Sequence, residues 1–94
     1  MELPFYIGPE TGQPHIYEHG VTEKEVREVL LRRGEDRAGD EGSRVAIGQT
    51  FAGRYLKVIY KRDREHNSVF VITAFELQGK PLRAYRRRVG RKGR

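Results

Sequence analysis

Three segments rich in β-branched and aromatic residues crowd into residues 44–75, and the turns between them dictate the architecture. Residues 44–51 carry Val45, Ile47 and Phe51, with Gly48 suited to a bulge or a close backbone approach. Ala52-Gly53 makes a tight hairpin turn into residues 54–60, Arg-Tyr-Leu-Lys-Val-Ile-Tyr. Residues 61–67 form a polar turn. Residues 69–75 are then nearly continuous apolar, as in a strand central in its sheet or covered on both faces. Such a chain folds around a three-stranded antiparallel meander, and its helices must pack on that sheet.

The clearest helix lies ahead of the meander. Thr22-Glu23-Lys24-Glu25 is a capping box, in which the Thr22 hydroxyl accepts from the Glu25 amide and the Glu25 carboxylate reaches back. Val26, Val29 and Leu30 fall at helical spacing, Leu31 widens the stripe, and Arg27, Arg32 and Arg33 lie off it. This predicts a helix over residues 22–33, stopped at Gly34. Upstream, residues 3–7 read as a brief strand or extended lead-in ended by Gly8-Pro9. Residues 14–19 read as a short helical segment opened by Pro14 and closed by Gly20. Residues 35–42 have no apolar residue beyond Ala38 and read as an exposed loop. After the strands, Gln78-Gly79-Lys80-Pro81 breaks the chain, a last helix runs over residues 82–89, and residues 90–94 are left as a flexible basic tail. The fold class is α+β: a small twisted antiparallel sheet of three to four strands packed against N-terminal helices, with a basic C-terminal helix. Residues 1–94 form one domain.

Charge is concentrated rather than spread. The net charge is +6, yet residues 83–94 hold seven of the nineteen basic residues and no acid, so the rest of the chain sums to −1. Arginines around Tyr85 suit a phosphodiester backbone and a base to stack on, although a solvated terminus has the same composition. Without cysteine there is no disulfide, thiolate nucleophile or cysteine metal site. No apolar run approaches the roughly 20 residues that cross a bilayer. The first residues also lack the basic-then-apolar order of a secretory signal. The expected location is the cytoplasm, with no membrane partner.

Standard site types fall away in turn. There is no phosphate-binding glycine loop and no Gly-x-Gly-x-x-Gly, and Ser43 and Ser68 sit beside turns without the context of a nucleophile. His15 and His19 share one face at i, i+4 spacing, but no carboxylate cluster completes a metal site, so no metal or other cofactor is expected. Acid–base chemistry with His, Arg, Lys and Tyr remains. Cleavage of RNA needs little more, because its 2′-hydroxyl is a built-in nucleophile. His15 and His19 are the natural proton handlers; the alternative is a partly buried helix face. Arg54 opens the middle strand, where it either projects into a cleft or is a charge at a hairpin edge. Lys57 interrupts an apolar strand, and Tyr85 either stacks on a base or anchors the last helix. Arg83, Arg86, Arg87 and Arg88 are the candidate RNA-binding cations.

Several strings together resemble the BrnT branch of the RelE/ParE-type toxins of bacterial toxin–antitoxin pairs. They are His19-Gly20-Val21 leading into a Glu/Val helix, Ile47-Gly48 before a hairpin, and residues 53–60, Gly-Arg-Tyr-Leu-Lys-Val-Ile-Tyr. Ile72-Thr73-Ala74 and the basic helix around Tyr85 and Arg86 complete them, so the likeness spans residues 15–88. It implies a twisted antiparallel sheet packed by helices, ribonuclease activity without a metal, and a small antitoxin that blocks the site; a homodimer is compatible with it. Toxins of this branch follow the Ile-Ser/Thr-Ala string with arginine, where this chain has Phe75-Glu76. They also carry a Glu-Arg pair ahead of the last tyrosine, where it has Leu82-Arg83-Ala84. Binding of nucleic acid or of an acidic protein by the basic helix, without catalysis, is the other reading.

Overall fold

The computed structural model describes residues 4–32, 34–65 and 68–92, the last three as helix backbone. A 3-10 turn, His15–His19, leads into α1 (Glu23–Leu31). Four strands follow, β1 (Glu35–Ala38), β2 (Arg44–Gln49), β3 (Tyr55–Asp63) and β4 (Ser68–Glu76), and α2 (Gly79–Lys92) closes the chain. The strands form one antiparallel sheet in the order β1-β2-β3-β4. Among the described residues no helix is long and apolar enough to cross a membrane.

α1 starts as its sequence dictates. The Glu25 amide donates to Thr22 Oγ1 at 3.2 Å, and the Thr22 amide donates to Glu25 Oε1 at 3.0 Å. These bonds satisfy two N–H groups that a helix start leaves without intrahelical partners. Val26, Val29 and Leu30 then bury on the sheet, each burial contributing about 1.5–3 kcal/mol. The 3-10 turn ends at Gly20, whose left-handed backbone (φ 69°) turns the chain into α1.

Alternation along the strands gives the sheet two different faces. On the first, Leu56, Val58 and Tyr60 of β3 and Val71 and Ala74 of β4 pack under α1 and the 3-10 turn. On the second, Ile47 joins Leu77 and Tyr85, with Tyr55, Leu82 and Val89 against them. α2 thus covers the end of this face nearest the β2–β3 hairpin. Farther along the same face of β3 stand Lys57 and Ile59, both half-buried.

Residues 35–42, expected as a loop, contain an edge strand and a short 3-10 turn, Asp40–Gly42. β1 has no apolar residue beyond Ala38, and charged partners fasten it: Arg44 Nε donates to Asp36 Oδ1 at 3.1 Å, and Tyr60 Oη donates to Asp36 Oδ2. β3 runs on to Asp63, into the expected polar turn, of which residues 66 and 67 lie outside the described residues. Gly48 carries no bulge; it pairs in register with Leu56, and the irregularity falls between Ile59 and Tyr60, leaving Ile72 unpaired. β4 is last in the sheet rather than central. Its apolar run serves two faces and an edge, where Phe5 bridges Val71 in parallel and Tyr6 N donates to Val71 O at 2.8 Å. Residues 1–3, of which residue 3 opens the expected strand or lead-in, and residue 33, the last of the helix expected over residues 22–33, lie outside the described residues. α2 begins at Gly79 rather than residue 82 and continues past Gly90 to Lys92, where a tail was expected; residues 93 and 94 of that tail lie outside the described residues.

Gly34 sits where α2 docks. Its N–H donates to Ile47 O at 2.9 Å, and the Tyr85 hydroxyl occupies the space a Cβ would need. Gly34→Ala should therefore destabilise the fold by about 1–3 kcal/mol in urea denaturation. Tyr85→Phe in the same chain should recover much of the loss, because it removes the overlapping oxygen.

Candidate nucleic-acid interface

The expected catalytic residues do not converge on one point. Arg54 is committed to the fold. Its Nη1 donates to Gly20 O at 3.1 Å and to Glu25 Oε2 at 2.7 Å, and its Nη2 lies 3.4 Å from Glu76 Oε1. One guanidinium thus joins the end of the 3-10 turn, the first turn of α1 and the ends of β3 and β4. Burial alone would lower the Arg54 pKa, but Glu25 and Glu76 together raise it. Burial likewise pushes the Glu25 carboxyl up, while the Thr22 amide and Arg54 outweigh it and hold the group below its ordinary value. A depressed carboxyl stabilises the fold above its unfolded value of about 4.3 and loses that contribution as pH falls through the lower, folded value. The stability advantage of the wild type over Glu25→Gln should accordingly shrink as pH falls from about 5 to 3, in denaturation series at each pH.

Tyr85 anchors α2 instead of facing solvent. It is 4% exposed, and its ring meets Tyr55 edge-on at 6.0 Å. Burial and then the nearby Glu35 raise its pKa, with Tyr55 adding and Arg88 opposing, so its hydroxyl stays protonated near neutrality. Arg88 is a strut: its Nε and Nη2 grip both oxygens of Glu35 at 2.7 and 3.0 Å, tying α2 to β1. Arg83 and Arg87 are exposed one turn apart on α2.

The remaining candidates line up with aromatic rings. His15 Nδ1 lies 3.0 Å from Glu18 Oε2, and its ring meets those of Tyr6 at 6.0 Å and His19 at 5.1 Å. The exposed His19 ring in turn lies 6.0 Å from Phe75, and Lys57 Nζ lies 5.9 Å from the same Phe75 ring. Lys57 and Phe75 are register partners on the second face of the sheet. Two residues back along β3, on the same face, Tyr55 carries the Arg86 guanidinium, 5.0 Å above its ring.

Tyr55 and Arg86 open onto a cleft of about 450 Å³, together with Tyr85, Val89, Gly34, Gln49 and Arg32. Arg32 follows α1 and stacks over Phe51 at 5.4 Å. Neither Arg32 nor Arg86 has a carboxylate partner among the described residues. Arg32, Gln49, Phe51 and Tyr55 were not singled out as site residues in the sequence. Phe51 alone carried a signal, a large aromatic beside a hairpin turn, and it is 62% exposed. The others become a site only when the end of α1, the hairpin and α2 meet.

Three cation–aromatic pairs, Arg32/Phe51, Arg86/Tyr55 and Lys57/Phe75, thus run from the hairpin along the sheet to two histidines. Guanidinium and ammonium groups attract phosphates, and aromatic or guanidinium planes stack on unpaired bases. No group of three or more His, Asp or Glu able to hold a metal ion occurs among the described residues. Comparison of the chain with protein-family models, with curated proteins and with solved structures finds no match.

Proposed function

We propose that the protein is an endoribonuclease toxin of the BrnT type, acting in the cytoplasm on single-stranded RNA without a metal and held inactive by a small antitoxin protein. The observation that carries this reading is the set of three cation–aromatic pairs together with the contact of His19 and Phe75, which supply phosphate contacts, stacking planes and a proton acceptor. In the reaction, His19 takes the proton of a ribose 2′-hydroxyl, whose oxygen attacks the adjacent phosphorus. The bond from phosphorus to the 5′-oxygen breaks, and that oxygen leaves as a hydroxyl, protonated by His15 or water. Lys57 stands beside the same Phe75 ring as His19, where an ammonium offsets the charge gathering on the phosphate oxygens. The products are a 2′,3′-cyclic phosphate and a 5′-hydroxyl. Arg54, Arg88 and Tyr85 hold the surface in shape.

Expression of the chain alone should arrest bacterial growth, and the purified protein should cut RNA in EDTA. Its affinity for a labelled single strand should fall steeply with salt, and Arg86→Ala should lessen the log–log slope by about 0.7, the share of one phosphate contact. Normal growth with uncut RNA would refute the nuclease. Specific binding of that uncut RNA would favour the second reading, a non-catalytic RNA-binding module, which the commitment of Arg54 and Tyr85 to the fold supports.

A further inference from the structure

We infer that the cleft between α1 and α2 is a single-nucleotide pocket, in which Arg32 and Arg86 take a phosphate and the open face of the Arg86 guanidinium takes the base. This deepens the RNA reading and rests on it, because it assigns one unpaired nucleotide of the strand to a particular place. The cleft, about 450 Å³, falls in the range of small-ligand pockets, roughly 300–1,000 Å³. Among the described residues its lining has two cations and no carboxylate, which selects an anion. Its arginines differ from Arg54 and Arg88, whose donors are spent on Glu25, Glu76 and Glu35. The Arg86 guanidinium lies over the Tyr55 ring and that of Arg32 over Phe51, and neither has a carboxylate partner among the described residues, so their N–H groups are available to phosphate oxygens. A guanidinium backed by an aromatic ring has a second face on which a planar base stacks. At the rim, the Gln49 amide nitrogen donates to Gly53 O at 3.1 Å, leaving its carbonyl oxygen to accept from a base N–H.

The test is titration of the full chain with adenosine 5′-monophosphate, with adenosine and with inorganic phosphate, followed through the amide resonances of Gly34 and Gln49. The nucleotide should shift both resonances and bind at least about tenfold more tightly than either fragment, since two contacts act together. Arg86→Lys keeps the charge but loses the stacking plane, so it should bind nucleotide no better than phosphate; Arg86→Ala should lose both. Arg86 is exposed, and an unchanged spectrum elsewhere will show that the variants fold. Equal affinity for nucleotide and phosphate, nucleotide shifts that spare Gly34 and Gln49, or wild-type nucleotide binding by Arg86→Lys would overturn the pocket. So would RNA cleavage unslowed by saturating nucleotide. Nucleotide binding here alongside uncut RNA would instead retain the pocket and reject the nuclease.

Discussion

Arg54→Ala should cost about 2–3 kcal/mol of folding stability, among the largest losses of any single charged side chain here. Breaking a buried ion pair costs about 3–5 kcal/mol, and the partial exposure of Arg54 and Glu25, 30% and 18%, places this case below that range. The variant leaves Glu25 without its cation, Glu76 without a partner beside it, and the Gly20 carbonyl without its donor. A domain of this size shifts its melting temperature by about 4–8 °C per kcal/mol, so a drop of about 10–20 °C should appear in thermal unfolding. Arg54→Lys should recover little of it, because one ammonium cannot span a carbonyl and two carboxylates on three elements. If Arg54 instead contacts phosphate, Arg54→Ala should melt near the wild type and lose RNA affinity. Gly20 adjoins His19 and Glu76 adjoins Phe75, so the same residue also holds the histidine against the ring that Lys57 shares.

His19→Ala should lower RNA cleavage by about 100-fold or more while leaving folding stability nearly unchanged. The size follows from the usual contribution of a positioned acid or base, about 10²–10⁴. The small cost in stability follows from exposure: His19 is exposed, and its ring meets those of His15 and Phe75 edge-on. Imidazole added to His19→Ala should restore part of the rate, since a small base can enter the space and accept the same proton. Failure of imidazole to do so, with RNA still bound, would remove His19 from the proton path. His15→Ala should have a smaller effect, because water can protonate a leaving 5′-oxygen.

Much of the fold was legible in local chemistry. The capping box at Thr22 and Glu25, the valine stripe after it, the Ala52-Gly53 turn and the three strand segments each follow from interactions within a few residues; all are present, though β2 stops at Gln49 and leaves Phe51 in the turn, and β3 runs on to Asp63. β1 was not legible, because its place depends on Arg44, Tyr60 and Arg88, which are distant in sequence and hold its carboxylates. Similarly, the apolar run of β4 suggested a strand central in its sheet or covered on both faces; it is last in the strand order, serves both faces, and pairs along its outer side with the residues around Phe5. The site was less legible than the fold. The sequence marks His19, Lys57 and Arg86 as chemically capable. It cannot show that Arg54 and Arg88 are already held by carboxylates, that Tyr85 is buried against Gly34, or that Arg32 and Phe51 arrive beside Tyr55. Those facts come from tertiary docking: the 3-10 turn and α1 against the strand ends for Arg54, and the end of α1, the hairpin and α2 together for the others.

The most direct test compares steady-state cleavage of a short single-stranded RNA, in EDTA, by the wild type, His19→Ala and Arg86→Ala, with end analysis of the products. The account predicts 2′,3′-cyclic phosphate ends, a fall in kcat at nearly constant KM for His19→Ala, and a rise in KM at nearly constant kcat for Arg86→Ala. RNA left intact by the folded wild type, or equal losses of kcat in both variants, would contradict it.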